Sequence, residues 1–161
     1  MIFVTVGTHE QQFDRLVKYM DKWAGENDEK VIIQTGYSKH EPKNCEWRRL
    51  YSFDEMSELI TEAGIVITHG GPSSFIKVLD AGKIPIIVPR SLEFNEHIND
   101  HQLVFCREMA KRWQNIIVLE DVDKLSDVIS NYQEIIKDKV NDYKSNNERF
   151  ISDFEKIVES I

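Results

Sequence analysis

Residues 68–102, THGGPSSFIKVLDAGKIPIIVPRSLEFNEHINDHQ, determine how we interpret the rest of the chain. The stretch follows an apolar run at residues 65–67, turns at a Gly-Gly-Pro sequence and continues with a helical pattern. Gly82 ends this pattern, and a second apolar run at residues 86–88 leads into a polar loop. The order of strand, glycine turn, helix, strand and polar loop is typical of a nucleotide-binding α/β unit.

The same alternation of short apolar runs and helical patterns extends outward in both directions. Further strands are predicted at residues 2–6, 31–34, 47–51 and 116–119. Further helices are predicted at residues 11–24, 53–63, 102–113 and 121–132. Because most of these strands are apolar on both faces, the sequence predicts an α/β fold: a Rossmann-like parallel sheet with helices on both faces.

Two expectations concern the ends of helices, and a third concerns the position of a strand in the sheet. We expect Gly25 to end the first helix, since glycine is common just after a helix. Asp54 is a suitable N-cap for the helix at residues 53–63. Arg48 and Arg49 restrict their predicted strand to an edge of the sheet, because a central strand of a covered sheet is apolar.

The chain length allows one domain with a core of its own, at 161 residues. We assign residues 1–131 to a nucleotide-sugar-binding α/β domain. Residues 132–161 have apolar side chains at helical spacing with charges between them. We interpret this segment as an amphipathic helical extension of the same domain, formed by one long helix or two shorter ones.

The charge balance excludes one large class of function. A formal net charge of −8 argues against nucleic acid as a partner, because nucleic-acid binding needs a basic surface. Cys45 and Cys106 lie far apart in the sequence and are interpreted as reduced thiols of a cytoplasmic protein. The predicted strand at residues 2–6 leaves no room for a signal peptide, and no apolar run approaches membrane-spanning length.

Two glycine-containing turns follow predicted strands, at residues 7–9 and 69–74. Glycine lets the backbone approach a ligand closely, and a helix start presents unpaired N–H groups with a partial positive charge. Both features suit a phosphate or a pyrophosphate. The alternative is an ordinary tight turn with a helix that begins at Ser73 or Ser74, one of them serving as the cap. The turns face each other across one crevice if their strands are neighbours in the sheet.

Hydrogen-bonding side chains are concentrated in residues 93–102, between a predicted strand and the next helix. Such a set suits recognition of several sugar hydroxyl groups. His97 and His101 have the spacing of a zinc pair, but no third ligand is evident, so we predict no metal site. The remaining alternative is a helix start with Asn or Asp caps and exposed histidines.

Four motifs together resemble a known family. They are VTVGT at residues 4–8, THGGPSSF at 68–75, AGKIPIIVPR at 81–90 and EHINDHQ at 96–102. In combination they resemble the C-terminal, donor-binding half of family 28 glycosyltransferases, which have the GT-B fold. The chain is most similar to the stand-alone small subunit of two-component bacterial capsule and exopolysaccharide transferases. It also resembles the catalytic subunit of the eukaryotic dolichol-linked N-acetylglucosaminyltransferase.

The resemblance implies a UDP-sugar site that requires no metal or other cofactor. The diphosphate would be held by the two turns and the following helix start, at Gly7, Thr8, His69, Gly70, Gly71, Pro72, Ser73 and Ser74. The donor sugar would be contacted by Asn99, Asp100, His101 and Gln102. Many relatives have a ribose-binding Glu where this chain has Lys77. Either the ribose is held by other groups or Lys77 contacts phosphate, since an ammonium group accepts no hydrogen bond.

The implied reaction is an inverting transfer of a hexose or N-acetylhexosamine from a UDP-sugar to a lipid-linked saccharide. The acceptor hydroxyl must lose a proton to a general base. Candidates in this chain are Glu96, His97 and His9, and the alternative is a base in another subunit. A different class of function is a non-catalytic, regulatory subunit that binds a UDP-sugar.

The resemblance also implies a partner, because the chain corresponds to only one of the two domains of a GT-B enzyme. A separate, membrane-associated subunit would bind the acceptor and hold this chain at the inner face of the membrane. Residues 132–161 are a candidate for that contact, and the alternative is that they pack on the sheet of their own domain.

Overall fold

Six parallel strands form a sheet in the computed structural model of the chain, which describes residues 1–139. The strands are β1 (Ile2–Thr5), β2 (Val31–Gln34), β3 (Glu46–Arg48), β4 (Ile65–His69), β5 (Ile86–Val88) and β6 (Ile117–Val118). Their order across the sheet is β3-β2-β1-β4-β5-β6. The predicted Rossmann-like α/β fold is confirmed, and β3 lies at an edge of the sheet as expected.

Helices cover both faces of this sheet. They are α1 (Asp14–Glu26), α2 (Phe53–Glu62), α3 (Pro72–Asp80), α4 (His101–Arg112), α5 (Leu125–Ser130) and α6 (Tyr132–Lys137). Val4 of β1 packs in a cluster with residues of α1 and α5, whereas its neighbour Phe3 packs with residues of α2 and α3. Within residues 1–139, no helix is both long enough and apolar enough to cross a membrane.

The ends of the first two helices differ from the sequence-based expectation. Gly25 lies inside α1, and a Cβ atom there would come within 2.9 Å of the Asn44 side chain, so close packing explains this glycine. Ser52, rather than Asp54, caps α2. Its hydroxyl accepts a hydrogen bond from the N–H of Glu55, whose carboxylate accepts one from the N–H of Ser52. This reciprocal capping box satisfies two donors, which the single cap at Asp54 would not do.

The third helix also begins earlier than expected. α3 starts at Pro72, with Gly71 at the N-cap position and no capping side chain, so neither Ser73 nor Ser74 is the cap. Proline suits the first helical position because its missing N–H would have no partner there. At the other end, Gly82 has φ +77° and ends the helix as predicted.

The C-terminal extension is described only in part. Tyr132 is buried against the core, as its helical spacing suggests, and the short helix α6 ends at Lys137. Residues 140–161, on which the rest of this prediction falls, lie outside the described residues.

The buried guanidinium group of Arg90 joins the loops that follow β1 and β5. Its Nη1 donates to the carbonyl oxygens of Gln11, Gln12 and Glu96, at 2.9, 3.0 and 3.0 Å. Its Nη2 donates to the carbonyl oxygen of Val6 at 2.8 Å. Burial lowers the pKa of Arg90 to about 10, which still leaves the group charged at neutral pH. One side chain thus fixes the relative position of two loops that are far apart in the sequence.

A second arginine strengthens the same connection. Arg15 of α1 donates from Nε and Nη2 to the two carboxylate oxygens of Glu96, at 3.0 and 2.9 Å. The N–H of Ser91 donates to the same carboxylate at 3.2 Å. Such a two-point contact between guanidinium and carboxylate fixes geometry as well as charge. The loop after β5 is therefore attached to α1 as well as to Arg90.

The His69 ring occupies the space between the two glycine turns. A Cβ atom at Gly7 would lie 2.4 Å from Cε1 of this ring, and a Cβ atom at Gly71 would lie 2.3 Å from its Nε2. Gly7 also has φ +76°, which side chains rarely adopt. β1 and β4 pair directly, with Thr5 opposite Thr68, so the turns after them are neighbours as expected. Both glycines are needed because the imidazole fills the gap between the turns.

We predict that Gly71→Ala destabilises the protein by about 1–3 kcal/mol, the usual cost of overpacking. Gly71 has φ −76° and ψ 124°, a conformation that alanine adopts without strain, so the cost arises from the His69 ring alone. Urea denaturation of the single variants and of the double variant with His69→Ala measures the coupling. The same glycine substitution should cost far less once the ring is removed. Equal costs in both backgrounds would contradict the packing described.

We also predict that stability decreases as the pH falls from 6.5 towards 4. Burial, then nearby Arg90, lowers the pKa of His69 from 6.5 to about 4. Between these values the unfolded chain binds a proton that the folded chain does not, so stability present above the unfolded pKa is lost on acidification. The lowered pKa of His9 acts in the same direction.

Urea denaturation across this pH range, with His69→Gln beside the wild type, measures the contribution of His69. The variant should have a shallower dependence on pH. His101→Gln, at an exposed histidine, is the control and should keep the wild-type slope. A wild-type slope in His69→Gln would show that His69 is not responsible.

Candidate functional site

A cavity of about 280 Å³ opens at the carboxyl ends of β1, β2 and β4. Its walls come from these strand ends, from the turn after β1, and from α2 and α3, whereas Gly70 and Gly71 of the turn after β4 are not among the lining residues. The lining residues are Thr5, Gly7, Thr8, Gln34, Tyr51, Phe53, Met56, Ile60, His69, Ser73, Ser74 and Lys77. Six residues expected to bind the donor are therefore brought together: Gly7, Thr8, His69, Ser73, Ser74 and Lys77.

The start of α3 gives this cavity an electropositive wall. No side chain caps the helix, and glycine at the N-cap position leaves the backbone accessible. Pro72 has no N–H, and the N–H of Ser74 donates to the carbonyl oxygen of Gly71 at 3.0 Å. The helix start still behaves as a partial positive charge, because the peptide dipoles of the helix are aligned. Thr8, Ser73 and Ser74 add hydroxyl donors. The arrangement suits an anion with several acceptor oxygens, such as a phosphate group.

Three histidines lie close to the turns. The ring centroids of His9 and His97 are 4.6 Å apart, which brings the loop after β5 against the turn after β1. Burial lowers the pKa of His9, and His97 and Arg90 add to the effect. His69 is almost completely buried and, with a pKa of about 4, is neutral at pH 7. The lowered pKa of His9 favours its neutral form, which can accept a proton.

Glu96 occupies a different environment from the two neighbouring histidines. Its side chain is completely buried, and both carboxylate oxygens are bonded to Arg15. Neither oxygen is accessible to a ligand, so the geometry favours a structural role and does not support Glu96 as the proton acceptor. Its sequence position alone gave no sign of this burial.

The residues expected to contact a sugar lie at the start of α4, beside the glycine turn. A Cβ atom at Gly70 would lie 3.2 Å from Cβ of Gln102, so α4 packs directly on the turn after β4. Asp100 Oδ1 accepts from the N–H of Leu92 at 2.8 Å, and Asn99 Oδ1 accepts from the N–H of His101 at 3.1 Å. The side-chain oxygens of Asn99 and Asp100 thus stabilise the loop, while His101 is exposed.

Pro72 and Gln102 complete the set of predicted residues. Pro72 begins α3 and is exposed, outside the lining of the cavity. Gln102 Oε1 accepts a hydrogen bond from the N–H of Arg90 at 3.3 Å. This bond joins the first turn of α4 to the end of β5. The assignment of sugar contacts to residues 99–102 stays a prediction.

The sequence motifs did not assign a role in the site to Tyr51, Phe53 or Arg90. Tyr51 and Phe53 line the cavity, and Lys77 Nζ lies 4.2 Å from the centroid of the Phe53 ring. Phe53 is 68% exposed, and an aromatic side chain left in water beside a cavity is a signal of binding. The importance of Arg90 is suggested by its place directly after an apolar strand, although its four carbonyl partners follow only from the tertiary structure.

A larger cavity, of about 570 Å³, lies between β3 and α2. It contains none of the predicted site residues. Four glutamates line it: Glu46, Glu55, Glu58 and Glu62. Arg48 also lines this cavity and pairs with Glu55, but the glutamates outnumber it and their net negative charge opposes the binding of a phosphate. The smaller cavity at the glycine turns is therefore the better candidate site.

The sequence profile of the glycosyltransferase family 28 C-terminal domain matches residues 1–161 of this chain. No curated protein sequence matches it significantly. The match extends over the whole chain, including both glycine turns and the loop after β5.

Solved structures of glycosyltransferases have the same fold. The spinosyn forosaminyltransferase SpnP is similar with a TM-score of 0.59 and 16% identity, over 98% of this chain and 43% of that one. The glycotransferase of kitacinnamycin is similar with a TM-score of 0.53 and 15% identity, over 85% of this chain and 35% of that one. The chain thus spans less than half the length of these two proteins. It belongs to the glycosyltransferase family 28 C-terminal domain family and is a donor-binding domain of that type.

Proposed function

We propose that this chain is the donor-binding and catalytic subunit of a two-component inverting glycosyltransferase. It would move a hexose or N-acetylhexosamine from a UDP-sugar to a lipid-linked saccharide during polysaccharide biosynthesis. The observation that supports this most strongly is the cavity at the uncapped start of α3, with the hydroxyl groups of Thr8, Ser73 and Ser74 around it. These hydrogen-bond donors are complementary to the acceptor oxygens of a nucleoside diphosphate.

The same groups would assist the reaction. When the bond between sugar and diphosphate breaks, negative charge accumulates on the departing UDP. Preorganised N–H and O–H donors at the start of α3 stabilise that charge without reorganising during the reaction. Metal chemistry is not part of this proposal. The aromatic rings of Tyr51 and Phe53, at the same cavity, offer apolar surfaces to the base of the nucleotide.

Of the three candidate bases, His9 has the most suitable environment. It is half-buried beside His97, and its lowered pKa favours the neutral form. A neutral imidazole near the donor sugar can remove the proton of the acceptor hydroxyl. The competing assignment is a base supplied by the partner subunit, with His9 and His97 only positioning the loop.

The partner would bind an apolar surface beside the site. Five large apolar side chains on the loop after β5 and on α4 are exposed: Leu92 (47%), Phe94 (44%), Ile98 (71%), Val104 (55%) and Phe105 (38%). We call this set the apolar collar. Several large apolar side chains exposed on two consecutive segments of the chain are typical of protein interfaces. The matched structures are more than twice as long as this chain, which agrees with an acceptor-binding polypeptide as the occupant.

A lipid surface is a poorer occupant of the apolar collar. The chain has a net charge of −8, which opposes binding to anionic lipid. Direct contact of this face with a bilayer would also obstruct the entry of a soluble nucleotide sugar. We therefore place the chain in the cytoplasm, held at the inner face of the membrane through its partner.

Calorimetry with UDP, UDP-glucose, UDP-galactose and UDP-N-acetylglucosamine tests donor binding. The double substitution of Ser73 and Ser74 by alanine should weaken UDP binding about tenfold, as expected for lost hydrogen bonds to a charged group. Ser130→Ala, at an exposed serine of α5, should have no effect. Failure of the chain to bind UDP, alone or with its partner, would overturn the proposal.

Transfer assays on the same proteins separate catalysis from binding. His9→Gln should keep UDP affinity and lose transfer by about 100-fold or more, the usual contribution of a general base. Wild-type transfer by both His9→Gln and His97→Gln would place the base in the partner. UDP binding with no transfer, even in the presence of source membranes, would favour the non-catalytic, regulatory function.

The apolar collar yields a separate prediction. The double substitution Ile98→Ser and Val104→Ser should leave UDP affinity unchanged. It should reduce transfer to a lipid-linked acceptor in source membranes by about tenfold or more, because interface residues are energetically important. Leu50→Ser, at an exposed leucine after β3, is the matched control. Undiminished transfer by the double variant would show that the partner binds elsewhere.

A further inference from the structure

Lys77 shares one face of α3 with the serines at its start. Ser74 and Ser73 precede Lys77 by three and four positions, which places the three side chains on the same side of the helix. All three line the cavity. Helix side chains incline towards the N-terminus, so the long stem of Lys77 is able to reach the first turn of α3.

The charge inside the cavity is unusual for so acidic a protein. Among the residues that line it, Lys77 has the only full positive charge at neutral pH, because the lowered pKa of His69 leaves that ring neutral. No Asp or Glu lines it. The cavity between β3 and α2 has four glutamates instead. An anion in the smaller cavity therefore meets one cation and no opposing carboxylate.

Lys77 has only a weak partner in the described part of the chain. Its ammonium group lies over the Phe53 ring, 4.2 Å from the centroid, and forms no ion pair within residues 1–139. Phe53 is largely exposed, and a cation–π contact at an exposed site contributes little. A hydrogen bond between ammonium and phosphate is considerably stronger. Transfer of Lys77 from the ring to a phosphate group is thus favourable.

We propose that Lys77 is the cation that recognises the donor diphosphate, and that the chain therefore selects its donor by phosphate charge at this residue. The inference rests on the proposed function, since it places the diphosphate at the start of α3. An ammonium group only donates hydrogen bonds, so it pairs with phosphate oxygens, whereas a carboxylate here would repel them. The charge of Lys77 adds to the partial charge of the helix start.

The test compares UDP and uridine as ligands of the full chain by calorimetry. Lys77→Met keeps an apolar stem and removes the charge. It should weaken UDP binding by about 10- to 100-fold, the effect of losing one hydrogen bond to a charged group. Uridine binding should change by less than about twofold, because uridine has no phosphate. Lys77→Arg should retain UDP binding, and Lys18→Met, at an exposed lysine of α1, is the control.

The dependence on salt provides a second measurement. UDP affinity of the wild type should fall with ionic strength more steeply than that of Lys77→Met, since screening acts on the charge that was removed. Thermal denaturation confirms that each variant is folded. If the wild type binds UDP and Lys77→Met binds UDP equally well, this inference is wrong and the proposed function stands. The same holds if Lys77→Met weakens the binding of uridine as much as the binding of UDP. If the wild type does not bind UDP, both are wrong.

Discussion

The burial of one charged group, the guanidinium of Arg90, is the constraint on which the site depends. Removing a charge from water is costly unless the surrounding groups replace the lost hydrogen bonds. Here four carbonyl oxygens accept from the two Nη atoms, and they belong to the residue after β1, the loop before α1 and the loop after β5. Movement of any of these segments would leave a buried charge unpaired. The loops around the cavity are consequently fixed as one unit, together with the Arg15–Glu96 ion pair.

The glycine turns show how packing and ligand binding impose the same requirement. Glycine at positions 7 and 71 is explained by the His69 ring, which fills the space that a Cβ atom would need. The same absence of side chains leaves the start of α3 uncapped and accessible. A turn that must lack a side chain to accommodate the His69 ring is thereby also suited to bind an anion. The neutral state of His69 matters here, because a charged imidazole would be costly to bury between two backbones.

The distribution of charge distinguishes the site from the rest of this acidic protein. Glutamates line the cavity between β3 and α2, and they also pair with lysines and arginines over the surface. The cavity at the glycine turns contains hydroxyl groups, amides, aromatic rings and Lys77, with no carboxylate among its lining residues. Exclusion of negative charge from one small region is consistent with the binding of a polyanionic ligand there.

The sequence alone determined the fold class and the region of the site, because both depend on local patterns. Apolar runs separated by helical spacing specify parallel strands with covering helices, and glycine turns after β1 and β4 identify the edge where ligands bind. Only the tertiary structure decided the roles of individual polar residues. Glu96 looked like a candidate base, yet it is buried on Arg15, a residue that is distant in the sequence. The contact of Lys77 with Phe53 likewise joins two helices, which no local pattern specifies. Burial and long-range pairing set the chemistry of a side chain, and both arise only when the chain is packed.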